Sequence, residues 1–386
     1  MSLPSYRVRL FLTVDLIGST AFKFASRKSK GASEPHPEWV LWFRQFYKQF
    51  PEAFYARYKA TTSGALEGKD APQSPKVWKT VGDEILFCCK VSDVQHVACA
   101  ITAFLQALEE FGKTLEANDL PLDVKGAGWL AAFPAENISI EIFNDSLAST
   151  DNQDVLSEEF EAAADLEPNK YDFLGPGIDT GFRISKNAAA DRFTASVGLA
   201  YHLCDAAHHN LFSGVFEYHG RERFKGVNRD QPYPVVSIGS ERNPAKRLLR
   251  ERERMVKNED QTSPLALGDF LREFMVQEGI DIPTLQRRPG DPAMAPPSSY
   301  ETFKVAWGIN VEELKKRDRG IDEASEKTEA QSGQGTIPED VRRFKVRESK
   351  FRPAPVTITA EELAKIGARV IAQALKADPN NNGSSS

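Results

Sequence analysis

Lys76-Val77-Trp78-Lys79-Thr80-Val81-Gly82-Asp83-Glu84-Ile85-Leu86-Phe87 sets the frame for the rest of the chain. Val77, Thr80 and Val81 on one side of Gly82-Asp83, and Ile85, Leu86 and Phe87 on the other, predict two short strands joined by a tight Gly-Asp turn. A carboxylate is then held rigidly at a hairpin tip. Upstream, Phe11-Leu12-Thr13-Val14-Asp15-Leu16-Ile17-Gly18-Ser19-Thr20 is an apolar strand with an acid at its end, followed by a turn whose backbone N–H groups suit a polyphosphate. Two carboxylates on adjacent strand ends beside such a turn are what a divalent-metal nucleotide site requires.

Working outward, residues 7–15 read as the first strand, and Gly18 to Lys30 as a polar, basic approach to a helix. Between Glu38 and Lys59 the aromatic spacing of three, four and seven predicts a helix packed on a sheet, interrupted or restarted at Pro51. Such a stripe can stack on a base, but core packing is the better reading. Residues 60–75 read as a surface loop. Asp93 to Ala117 is a helix with Asp93 or Ser92 as N-cap, and Leu122 to Phe133 a strand. Ile138 to Phe143 alternates like a strand. Asp145 to Pro168 is acidic and short of large apolar groups, which predicts an exposed excursion, with structure resuming at Tyr171. Then come a helix over Asp179 to Ala190, a strand around Thr194 to Val197 and a helix over Gly198 to His209. Strand segments at Phe212 to Tyr218, Phe224 to Val227 and Tyr233 to Ile238 finish an α+β domain over residues 1–240.

Residues 241–386 change in composition and read as an extension of helices and polar linkers. Asn243 to Lys257 is charge-rich, Leu265 to Glu278 is an amphipathic helix, and Ile282 to Ser299 is a Pro-rich connector. Residues 317–338 read as flexible, a helix opens at Thr359 with apolar positions from Leu363 to Leu375, and Asn380 to Ser386 is a tail.

With 386 residues, 41% of them hydrophobic, the chain can bury a full core. A net charge of -6 argues against a general binder of nucleic acid or anionic membrane. No run approaches the ~20 apolar residues of a membrane span, and the first residues lack the apolar core of a signal peptide. Cys88, Cys89, Cys99 and Cys204 have no metal-type spacing and read as buried reduced thiols, which fits a cytoplasmic location. Neighbouring His208 and His209 point different ways on a helix, and Ser19 lacks a histidine pattern that would make it a hydrolytic nucleophile.

The remaining chemistry lies in Tyr171-Asp172-Phe173-Leu174-Gly175-Pro176-Gly177-Ile178-Asp179-Thr180-Gly181-Phe182-Arg183-Ile184. Gly175, Pro176 and Gly177 force a turn, after which Asp179 and Arg183 stand one helical turn apart. By itself this is also the pattern of an intrahelical ion pair worth a few tenths of a kcal/mol.

Taken together, Phe-x-x-x-Asp-x-x-Gly-Ser-Thr at Phe11 to Thr20, Lys-x-x-Gly-Asp at Lys79 to Asp83, Tyr-Asp-x-x-Gly at Tyr171 to Gly175, Asp179 to Arg183, and Lys225-Gly226 resemble the class III nucleotidyl cyclase domain. The resemblance implies a ferredoxin-like domain working as a head-to-tail homodimer with sites across the interface. It makes Asp15 and Asp83 the ligands of two divalent ions and puts Leu16 in the same metal set. Gly18, Ser19 and Thr20 join the substrate site, Lys79 and Asp172 read the base, Arg183 stabilises charge at the α-phosphate, and Lys225 holds the terminal phosphates.

One departure is Asp179, where the family usually has an Asn that orients the ribose. An ionised carboxylate only accepts hydrogen bonds, so Asp179 must take sugar hydroxyls, pair with Arg183 or join the metal. That departure and the surrounding motifs look more like the bacterial pyrimidine cyclases of the Pycsar antiphage system. Those make cyclic UMP or cyclic CMP, usually with Mn²⁺ (Mg²⁺ being possible), as a message for a separate effector that is not bound directly. UTP is the expected substrate, with CTP and ATP as alternatives. A degenerate nucleotide-binding sensor would have lost a metal acid or the arginine, and all are present.

Overall fold

Strand β1 (Arg7–Ile17) is buried on both faces, and the rest of the fold is built around it. The computed structural model describes residues 2–26, 36–63, 73–142, 156–257, 261–292 and 294–331. Helices α1 (Ser19–Ser26) and α2 (Glu38–Thr62) follow β1, then the hairpin β2 (Lys76–Val81) and β3 (Glu84–Val91), helix α3 (Val94–Ala117) and strand β4 (Asp123–Phe133). These strands lie in the order β2-β3-β1-β4 with every neighbour antiparallel. That is the ferredoxin-like β-α-β-β-α-β arrangement expected from the sequence. Strand β5 (Ile138–Glu141) leads to helix α4 (Glu158–Leu166), strand β6 (Tyr171–Leu174) and helix α5 (Pro176–Ile184), with β5 and β6 pairing as a separate small sheet. Strand β7 (Arg192–Ala195), helix α6 (Val197–His208), and strands β8 (Phe216–Glu222) and β9 (Tyr233–Gly239) extend the main sheet beyond β4. Helices α7 (Pro244–Lys257), α8 (Pro264–Glu278) and α9 (Ser298–Gln331) follow.

One row of β1, including Leu10, Leu12 and Val14, faces a core made with α2, α3 and α6. The aromatic stripe of α2 is core, since Phe46, Phe50 and Phe54 are fully buried. Phe50 and Phe54 meet Phe104 of α3 at 5.6 and 5.1 Å between ring centroids. Helix α2 runs unbroken through Pro51, against the expected interruption. A mid-helix proline costs about 3 kcal/mol. Burying each phenylalanine returns roughly 1.5–3 kcal/mol, so tertiary packing outweighs the lost backbone bond.

The alternate row of β1 is Arg7, Arg9, Phe11, Thr13 and Asp15, and it grades from sealed to open. Phe11 stacks on Trp129 at 5.6 Å and 9°, within a second core that also holds Trp78, Phe133 and Phe173. Above Arg7 and Arg9 sits α4, which corrects the expectation that Asp145 to Pro168 is wholly exposed. Ser157 caps α4, and Glu161 and Asp165 are buried. Arg9 donates to Asp165 and Glu161 at 2.7 Å each and to Ser139 at 2.9 Å, and Arg7 reaches Asp165 at 2.7 Å and Glu158 at 2.5 Å. The acids that made the segment look solvated are counter-ions for two arginines of the central strand. Residues 145–155 of that segment lie outside the described residues.

Other boundaries also move. Helix α5 starts at Pro176, the favoured first position, and gives way at Ser185–Asn187 to a short 3-10 turn rather than reaching Ala190. Residues 224–227 are a turn, not a strand, with Gly226 at φ 78°. Asp93 caps α3 as expected, accepting from the His96 N–H. The charge-rich segment after Asn243 is helical as α7, and α9 continues into the stretch expected to be flexible, as far as Gln331. The loop at 64–72, the expected helix at Thr359 and the tail lie outside the described residues.

One compact unit runs from Met1 to Gly320. Within it α8 buries Leu267, Leu271, Phe274 and Met275 in the core that β9 shares. Of the second unit, Ile321–Ser386, the described part is helical backbone to Gln331. All four cysteines are free and buried. Among the described residues no helix is long and apolar enough to cross a membrane.

Candidate active site

The ladder between β1 and β3 ends with Asp15 opposite Glu84, and one step further the Leu16 N–H donates to the Asp83 carbonyl at 3.2 Å. Asp15 and Asp83 therefore occupy adjacent strand ends, as the sequence predicts. Leu16 is 3% exposed with its side chain in the core, so only its main chain has a donor atom to offer. Gly82 takes φ 64°, a left-handed conformation that the tight turn needs, and its carbonyl accepts from the Tyr47 hydroxyl. Gly18 takes φ 84°, and a Cβ there would stand 2.6 Å from the Pro121 carbonyl oxygen. The chain can thus turn straight from β1 into α1, where the buried Ser19 hydroxyl donates to the Asp83 carboxylate and Thr20 is exposed.

On the other side of the site, Gly175 and Pro176 start α5, and the Gly177 N–H donates to the side-chain Oδ1 of Asn137 at 3.0 Å. Asp179 and Arg183 follow on the exposed side of this helix. Among the described residues neither forms an ion pair, so the intrahelical pair that their spacing allowed is not made. A cleft of about 400 Å³ brings them together with Asp15, Asp83, Glu84 and Lys125 in one chain.

Lys125 and Glu84 are additions that motif reading missed. Lys125 lies directly opposite Asp15 in the β1–β4 ladder, its Nζ 3.1 Å from the Asp15 carboxylate. The alternation of Val124-Lys125-Gly126 signals a strand face, but the partner depends on register, which one sequence does not print. Burial pushes the Glu84 carboxyl up from its ordinary value; Asp15 and Asp83 push the same way, against the Thr13 hydrogen bond and Lys125.

Lys79 and Asp172 meet as expected, Nζ to Oδ1 at 2.7 Å, each about one-third exposed. The Lys79 ammonium also lies 4.0 Å from the Trp78 ring centroid. Lys225 does not join the cleft. It is exposed in the turn after β8, and its neighbour Gly226 lines a different cavity of about 370 Å³ with Pro176, Gly177 and Thr180.

Among the described residues no three His, Cys, Asp or Glu side chains converge as a metal cluster. The pair Asp15 and Asp83 still fits a hard divalent ion of the Mg²⁺ or Mn²⁺ type. Such ions are bound through one or two carboxylates, with substrate phosphates and water completing the shell.

Solved structures similar to this chain in overall backbone include the adenylyl cyclase CyaB from P. aeruginosa, at 10% identity and TM-score 0.41, covering 61% of this chain and 94% of that one. The guanylyl cyclase Cya2 matches at 14% identity and TM-score 0.35 over 62% and 94%. The guanylate cyclase domain of RhGC from Catenaria anguillulae, in complex with GTP, matches at 10% identity and TM-score 0.37 over 62% and 100%. Neither a family model nor a curated protein matches the chain. Likeness at this level assigns no activity.

Proposed function

We propose that the chain is a nucleotidyl cyclase converting UTP to 3′,5′-cyclic UMP and diphosphate. The observation that carries this reading is the convergence of Asp15, Asp83, Asp179 and Arg183 on one cleft from three separate elements, with Asp179 and Arg183 unspent on ion pairs among the described residues. Asp15 and Asp83, with the Leu16 main chain, would hold two divalent ions, Mn²⁺ or Mg²⁺. When bound, these ions supply charge neutralisation of the triphosphate and a lowered pKa for the ribose 3′-hydroxyl. Arg183 faces the negative charge that develops at the α-phosphate as the 3′-oxygen attacks and diphosphate leaves. Asp179 accepts from the sugar hydroxyls and orients the attacking group. The N–H groups of Gly18, Ser19 and Thr20, at the start of α1, take phosphate oxygens.

Lys79 donates to a uracil carbonyl oxygen while Asp172 holds its ammonium in place. CTP is the nearest alternative. A second reading, adenylate cyclase, is favoured by the same Lys79–Asp172 pair, which offers a donor and an acceptor side by side as adenine also requires. In the proposed head-to-tail homodimer, the partner's copy of the Lys225 loop reaches the terminal phosphates that its own chain's cleft does not present to it. The cyclic nucleotide then acts as a second messenger on a separate effector in antiphage defence.

The test is to incubate the protein with Mn²⁺ and each ribonucleoside triphosphate and to identify the product by mass. Cyclic UMP as the main product is expected. Cyclic AMP selects the second reading, and no cyclic product from any substrate refutes the proposal. Mixing Asp83→Ala with Lys225→Ala protein should restore partial turnover, because one cleft of the mixed dimer then keeps both its own Asp83 and the partner's Lys225. A mixture as inactive as its parents, with subunit exchange verified, overturns the shared site.

A further inference from the structure

We infer that Phe182 limits the base pocket to a pyrimidine, an assignment that rests on the cyclase reading above. Phe182 stands on α5 between Asp179 and Arg183 and lines the cleft. Its ring lies 5.4 Å from that of Trp129 and 6.2 Å from that of Trp78, centroid to centroid. Both tryptophans are buried, at 0% and 2% exposure, and both pack on Phe11 of the central strand. Directly before Phe182, Gly181 lets the helix lie against the indole, because a Cβ there would fall 2.1 Å from the Trp129 ring. The phenyl ring therefore has no space behind it into which to retreat.

Towards the base-reading pair, the Lys79 Nζ is 5.8 Å from the Phe182 ring centroid and 2.7 Å from Asp172. A base that accepts from Lys79, on a nucleotide whose α-phosphate meets Arg183 one residue further along α5, must pass alongside Phe182. A single ring can lie against it and gain an aromatic contact. The second ring of a purine needs the volume that Phe182 fills, and rigid packing converts that overlap into discrimination rather than rearrangement. Phe182 is thus a specificity-determining wall, while the polar contacts of Lys79 and Asp172 serve more than one base.

The experiment compares wild type, Phe182→Ala and Phe182→Leu in Mn²⁺, measuring kcat/KM with UTP and with ATP, together with Kd for both nucleotides by calorimetry and folding by circular dichroism. The Ala variant is expected to raise the ATP-to-UTP ratio by on the order of 10–100-fold, in kcat/KM and in affinity, with the Leu variant between. If Ala at this position unfolds the protein, the Leu variant, which keeps most of the volume, carries the comparison. Parallel losses for both nucleotides, leaving the ratio unchanged, would make Phe182 a core residue and overturn the inference. So would a wild-type preference for ATP. Absence of turnover in the wild type sinks the cyclase reading instead, and the ratio of the two Kd values still decides the role of Phe182; absence of nucleotide binding as well sinks both.

Discussion

Replacing Arg9 with Met removes the most deeply buried charge of the central strand, whose guanidinium lies over Phe133 and Phe173, while keeping an apolar chain of similar length there. Four groups lose a partner at once, the Glu161 main-chain carbonyl among them. Ser139 and Asp165 retain others, Glu161 for the first and Arg7 for the second. The Glu161 carboxylate, at 0% exposure, is left without a cation. Breaking a buried pair from one side in this way costs about 3–5 kcal/mol, because the stranded charge has no water to return to. Arg7→Met differs, since Asp165 keeps Arg9 and the one-third exposed Glu158 rehydrates, for a loss of about 1–3 kcal/mol. Arg9→Met combined with Glu161→Met should recover most of the loss, as no unpaired charge then remains buried. Urea unfolding followed by circular dichroism measures all three. Arg9→Met no more damaging than Arg7→Met, or a double variant weaker than Arg9→Met alone, would refute the account of α4 as a buried counter-ion helix.

Asp15→Ala or Asp83→Ala should abolish Mn²⁺-dependent cyclisation while leaving the circular dichroism spectrum unchanged; retained turnover would remove these acids from the metal site. Arg183→Ala should lower kcat by roughly 10²–10³-fold with little change in KM, as expected of a group that meets charge chiefly in the transition state, and equal losses in both would count against it. His96 is buried with its Nε2 2.8 Å from the Tyr58 hydroxyl, and burial pushes its imidazole down to about 4. The unfolded chain therefore takes up a proton that the folded one refuses. Its contribution is full above about pH 6.5, falls as pH drops, and levels off below about 4, for a loss of roughly 3 kcal/mol. His96→Gln should flatten that part of the pH–stability curve measured by denaturant unfolding.

Local patterns carried much of this fold in the sequence. The turn at Gly82, the cap at Asp93 and the alternation of β1 depend on neighbours a few residues away, and each is legible without knowing what packs against it. The α4 segment was not, because its meaning lies 150 or more residues upstream in Arg7 and Arg9. The usable signal was two arginines in an otherwise apolar strand, which require buried acids somewhere. Pro51 misled for a related reason, since its helix is held by distant phenyl contacts and not by local propensity. At the site, Asp15, Asp83, Asp179 and Arg183 could be named from motifs, whereas Lys125 and Phe182 emerge only from register and from the meeting of two elements. Lys225 belongs to the same set of motifs and is not brought to the cleft, because its place depends on the turn after β8 rather than on β1 or α5.

The graded row along β1 separates two responses to the surrounding electrolyte. Its first arginines meet carboxylates at 0–4% exposure, except for Arg7's second partner, Glu158, so mobile ions scarcely reach them. At its far end, Lys125 and Asp15 are 26% and 30% exposed and sit where dissolved ions screen them. Ionic strength is therefore a dial on the mouth of the cleft, turned without loosening the anchorage of the strand that supports it.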